Sequence, residues 1–130
     1  MINTDLLHRT LHFVFILSAI FISGCQSDME PVDCFEIEVI GSDRCGGGML
    51  VSVKNSEGIG EAITYYDGTN FKNVIRVYTL NSIPESKTAF IQIREFDPRR
   101  DNDFLRICQW LYAPFPVPTK VATFWSEEPC

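Results

Sequence analysis

Both histidines of the chain, His8 and His12, fall within its first twelve residues. Beyond them, carboxylates, arginines, tyrosines and cysteines are left to do chemistry. A domain without histidine cannot build Ser-His-Asp or Cys-His nucleophile activation, a histidine acid–base relay or a histidine-containing zinc site. Glu36 and Glu38 share one face of a strand pattern, and Glu127 and Glu128 are neighbours. Glycoside hydrolysis asks for two carboxyls about 5–10 Å apart across a cleft; the strand pair meets the spacing, but an outward strand face is the expectation. "DPRRDND", residues 97–103, offers Asp97, Asp101, Asn102 and Asp103 as oxygen ligands for a hard cation. It lacks a glycine at the turn, and Arg99 and Arg100 oppose a dication, so a solvated loop is expected. "RCGGGM", residues 44–49, has the run of backbone N–H groups that makes an anion nest. It lacks the Gly-Lys-Ser/Thr ending of a P-loop and reads as a wide hairpin loop held by its cysteine. No catalytic residue, metal or cofactor is assigned, and the chain is read as a non-enzyme.

The remaining candidates combine arginines with aromatics. Tyr65 and Tyr66 precede an Asp-Gly turn; Arg76 and Tyr78 share a strand face, as do Arg94 and Phe96, and Arg106 and Trp110. On adjacent strands they would set aromatic rings beside guanidinium groups, a composition enriched at recognition surfaces. Tyr65, Tyr66, Arg76, Tyr78, Arg94 and Trp110 are therefore the candidate binding residues. The competing expectation is that the aromatics fill a second small core beneath a proline-rich segment.

The elements that must position these residues begin after a leader. Residues 1–10 carry Arg9 and the amino group against Asp5, and residues 11–22, "LHFVFILSAIFI", are apolar apart from His12 and Ser18. Twelve residues are too few for a membrane-crossing helix, which needs about 20, and match the apolar core of a signal peptide. The run ends in Ile22-Ser23-Gly24-Cys25, which resembles the lipobox of bacterial lipoproteins. The resemblance implies cleavage before Cys25, a diacylglyceryl thioether on its sulfur and a further acyl chain on its new amino group. One acyl chain holds a protein marginally at a membrane, and two or more hold it stably. Gln26 rather than aspartate after the lipidated cysteine implies transfer to the outer membrane, and "SDME", residues 27–30, looks like the acidic signal for display at the cell surface. The expected organisation is a signal peptide over residues 1–24, a lipidated cysteine with acidic linker over residues 25–33, and a domain over residues 34–130.

The 130-residue chain less residues 1–24 leaves 106, the size of one small domain. The leader removes one acid and one base, so the net charge stays at −6. Such a chain gains nothing from releasing phosphate counterions, and nucleic acid is excluded as a partner. With Cys25 spent on lipid, Cys34, Cys45, Cys108 and Cys130 remain. In an exported chain these read as two disulfides with three possible connectivities; Cys34–Cys130 with Cys45–Cys108 is the expected one. A four-cysteine zinc site would show close C-x-x-C pairs, which are absent.

From residue 33 onward the pattern is of short strands. "CFEIEVI" alternates apolar and acidic residues, "MLVSVK" repeats the alternation, and "EAITYY", "NVIRVYTL", "TAFIQIREF", "FLRICQWLY" and "KVATFW" follow. "FLRICQWLY" also admits a helix. Glycine turns at residues 41–48 and 67–70, the connection "NSIPESK" with Pro84, and "APFPVP" (residues 113–118), which must be an edge or crossing segment, separate them. The expectation is an all-β domain: a small closed or partly open antiparallel barrel, OB-like, or a sandwich, with about six or seven strands. "YDGTNFKNVIRVYTLNSIPES", residues 66–86, with the flanking cysteines, resembles a group of small, uncharacterised cysteine-containing β-barrel lipoproteins of Gram-negative bacteria. That resemblance implies an OB-like closed β fold and assigns no catalytic or ligand-binding residue. The functional expectation is a lipid-anchored envelope module with a non-catalytic binding or structural role, meeting a protein or glycan. The alternative is an inhibitor or immunity-type lipoprotein whose plug would be "DPRRDND" or "NSIPESK".

Overall fold

The alternation in "CFEIEVI" becomes β1, Phe35–Ser42, with Ile37 and Val39 buried inward. The computed structural model describes residues 33–79, 88–108 and 112–130; the leader, Cys25, "NSIPESK" and Trp110 lie outside them. Five further strands follow: β2, Met49–Val53; β3, Glu61–Thr64; β4, Asn70–Thr79; β5, Thr88–Glu95; and β6, Thr119–Ser126. β1 pairs with β2 and β5, β2 with β4, β4 with β6, and β6 with β5. Those five strands close into an OB-like barrel, and β3 adds to the first half of β4 as an extra strand. The closing pair, β4 with β6, is parallel, with Arg76 opposite Thr119 and Thr79 opposite Ala122. The one parallel contact in this otherwise antiparallel barrel has a geometric reason: a ring of five strands cannot alternate direction all the way round. "FLRICQWLY" departs from the strand expectation. Phe104 ends a short 3-10 turn, Asn102–Phe104, and residues 105–108 form no strand.

Residues of alternate positions fill the barrel: Ile37, Val39, Val51, Val53, Ile75, Val77, Ala89, Ile91 and Ala122 form one cluster. Register shifts at Ile40 in β1, and at Thr123 in β6 opposite Gln92 and Ile93, supply the bends that let short strands curl shut. A second cluster sits outside the ring. Leu50, Val74, Ile63 and Val117 are buried there, with Ile40, Tyr65, Phe71 and Phe115 packed around them. The outer side of β2 at Leu50 and of β4 at Val74 is therefore covered too, by Ile63 of β3 and by Val117 of the chain entering β6. Asn73 is the one described residue other than glycine with a left-handed backbone, at φ 51°. Its amide explains why it is held there: it donates to the Val53 and Ser56 carbonyls and accepts from Gly60 N–H at 2.9 Å.

The four cysteines pair as Cys34–Cys130 and Cys45–Cys108, with Cα–Cα separations of 5.8 and 4.9 Å. The first joins the start of β1 to the segment beyond β6. The second joins the β1–β2 loop to the long β5–β6 connection.

Candidate functional site

Two loops meet at this second disulfide: residues 43–48 between β1 and β2, and residues 96–118 between β5 and β6. The shorter is organised by Asp43, whose side chain is wholly buried. Its Oδ1 accepts from the backbone N–H groups of Cys45 at 3.0 Å and Gly46 at 2.9 Å. The anion nest legible in "RCGGGM" is thus filled by the chain's own carboxylate. Asp43 Oδ2 takes the Arg76 guanidinium, from Nη2 at 2.5 Å and Nε at 3.2 Å, and the Phe115 N–H at 3.2 Å. Arg76 is 9% exposed in its side chain and also donates to Thr119 Oγ1 and the Phe115 carbonyl. Burial works against the Asp43 charge, but the Gly46 N–H, the Arg76 guanidinium and the Cys45 N–H outweigh it and hold the carboxyl below its ordinary pKa.

The longer loop is anchored at three further places. Arg94 of β5 donates from both Nη atoms to the two oxygens of Asp101, at 2.7 Å each, and Asp101 also accepts the Asp97 N–H. This forked pair holds the Asp101 carboxyl well below the usual range. Phe104 stacks on Tyr78 with ring centroids 5.2 Å apart and planes within 7°. Tyr78 is buried and donates its hydroxyl to the Gly46 carbonyl at 2.5 Å; burial raises its pKa. Phe115 then lies against Tyr65 and Tyr66, and Val117 closes the outer cluster.

The candidate residues read from the sequence fall as follows. Arg76 and Tyr78 share a face of β4, and that face lies buried, Tyr78 beneath Phe104 and Arg76 beneath Phe115. Tyr65 and Tyr66 are half-buried against Phe115, and Tyr66 also meets Tyr112 edge-on at 5.7 Å, with the Arg44 guanidinium 4.6 Å above its ring. Arg94 is engaged by Asp101. Trp110 and Cys25 lie outside the described residues. Asp97, a candidate cation ligand, instead accepts the Arg99 N–H with its Oδ1 at 2.9 Å. Among the described residues, no group of three or more His, Cys, Asp or Glu side chains is placed to hold a metal ion.

Asp43 was absent from the sequence candidates, although an aspartate two residues before the backbone donor it takes is a recurrent turn signature. Also unmarked was what the loops leave outside. Ile107 is 93% exposed, Leu105 54% and Tyr112 50%. Among the described residues every exposed arginine (Arg44, Arg99, Arg100 and Arg106) lies in these two loops. Elsewhere the exposed charge is mostly acidic, from Glu57, Glu61, Asp67, Glu127 and Glu128. On the flank of β2 and β4 a separate open groove of about 660 Å³ is lined by Phe71, Asn70, Lys72 and Glu38, the last held by Lys54.

OB-like barrels as a class carry ligands on the outer face of their second and third strands, between the loops that flank it. In this chain that face belongs to β2 and β4, and the chain's own residues 112–118 occupy much of it. No family model and no curated protein matches the chain.

Proposed function

We propose that the protein is a lipid-anchored, non-catalytic binding module of the bacterial outer membrane, displayed at the cell surface. The anchor rests on the sequence: Ile22-Ser23-Gly24-Cys25 after a twelve-residue apolar run, with Gln26 and the acidic "SDME" behind it. The binding role rests on one observation. A segment fixed by a disulfide, a buried ion pair and a forked arginine–carboxylate pair leaves Ile107 93% exposed, with Leu105 beside it. Single exposed apolar residues are ordinary, whereas a clustered and rigidly held set marks a contact surface. The aliphatic character of exposed Leu105 and Ile107 favours a protein as the partner.

The test is native extraction of the full chain in mild detergent. The wild type should partition with membranes and migrate together with a second protein, and Cys25→Ser should leave the membrane fraction. Migration as a lone monomer from freshly extracted membranes refutes the binding role. Retention of Cys25→Ser in the membrane refutes the anchor.

The same pinned segment favours a second reading, an inhibitor that seats residues 105–108 in the cleft of an envelope-attacking enzyme. In that case the purified domain should reduce the activity of the co-migrating protein in stoichiometric amount.

A further inference from the structure

Exposed apolar residues and exposed arginines share the two loops that Cys45–Cys108 joins, where the Arg44 guanidinium stands 5.9 Å from the Tyr112 ring. We propose that residues 44, 99–108 and 112 form a docking tip for a partner protein that presents an apolar slot rimmed by carboxylates; this rests on the binding role proposed above. Three observations converge. The exposed large aliphatics of the described residues, Leu105 and Ile107, lie in this loop together with exposed Tyr112. Four exposed arginines, Arg44, Arg99, Arg100 and Arg106, against two exposed acids, Asp97 and Asp103, lie in the same two loops of a chain of net charge −6, and neither Arg99 nor Arg106 has a salt-bridge partner among the described residues. Arginine beside an apolar centre is the composition of binding hot spots, and charge at the rim steers encounter and sets register. The tip is also held ready, because Asp43, Arg76 and the Cys45–Cys108 bond fix it before any partner arrives, which lowers the ordering cost of association.

The experiment places the photoreactive residue p-benzoylphenylalanine in the full-length chain, in intact cells. It replaces Leu105, with Phe124 as the control position; Phe124 lies on β6 and is 47% exposed. Irradiation should give a discrete protein adduct from position 105 and not from 124, with the linked peptide adjoining Asp or Glu residues of the partner. R99E/R106E should weaken that adduct by about tenfold or more, and R99K/R106K should retain it. An adduct from position 124 alone overturns the tip and leaves the binding role standing. An adduct from 105 that ignores R99E/R106E overturns the carboxylate rim. A lipid adduct at 105, or no protein adduct from either position, overturns both.

Discussion

Asp43→Asn tests the reasoning about the loops most directly. The substitution keeps an acceptor for the Cys45 and Gly46 N–H groups but removes the charge that Arg76 faces and puts an amide N–H group against its donors. Arg76 cannot turn to water, because its side chain is 9% exposed beneath residues 115–119. A buried ion left without its partner costs about 3–5 kcal/mol. With a urea slope of about 1–2 kcal/mol/M for a domain this size, the unfolding midpoint should fall by about 2–4 M. The companion variant Arg76→Met removes the stranded ion. The pair D43N/R76M should therefore cost less than the two single changes added together, by about 2 kcal/mol. Urea unfolding followed by far-ultraviolet circular dichroism, disulfides intact, gives all four corners of the cycle. A midpoint shift under about 0.5 M for Asp43→Asn, or strict additivity, would show that the pair is not what holds the two loops together.

Three further outcomes follow from the same geometry. Removing Cys45–Cys108 as C45S/C108S opens a loop of 63-residue separation and should cost about 4 kcal/mol by chain entropy. It should speed amide exchange in residues 96–108, whereas C34S/C130S should not, and equal exchange in both would contradict the assigned role. Gly48 has φ +69°, and an added Cβ would stand 2.9 Å from both the Tyr78 ring and the Val77 carbonyl. Gly48→Ala should thus lose about 2 kcal/mol in urea unfolding, while Gly58→Ala, with open space but the same backbone sign, should lose less. The pH dependence has a defined sign. Asp43 and Asp101 both have carboxyls held lower in the fold than in the unfolded chain. Their stabilisation is whole above about pH 4 and is lost as pH falls through the folded values. Tyr78, raised by burial, adds a loss above about pH 10. The urea midpoint should be level from neutral pH down to about 5 and fall steeply below 4; a steady decline between 8 and 5 would contradict this.

Alternation made most of the barrel legible. Six of the seven strand patterns are strands, because a period of two needs only one buried face to show itself. "FLRICQWLY" carried the same chemistry without the fold. Phe104 is satisfied by the Tyr78 ring and Cys108 by Cys45, and Leu105 and Ile107 are left in solvent, so no sheet edge was required. Pairing partners were not legible, since alternation says which way a side chain points and not which strand lies alongside; hence the parallel β4–β6 contact was missed. For the candidate residues, Arg76 and Tyr78 do share a face, as their spacing requires. That the face is covered had a signal in "NVIRVY", where Val74 and Ile75 are consecutive and both fully buried. A strand with apolar residues on both sides is covered on both sides, and the arginine among them needed a buried acid. Asp43, thirty-three residues earlier, supplies it.

The two disulfides also lay down a route for tension. A pull applied between Cys34 and Cys108 is carried along residues 34–45 and across one sulfur–sulfur bond. That path can lengthen to about 40 Å at most before covalent bonds bear the load. The 62 residues lying between Cys45 and Cys108, which include β2, β3, β4 and β5, are bypassed. Under shear a protein gripped at these two points would straighten β1 and then stop, with most of its strands outside the line of force.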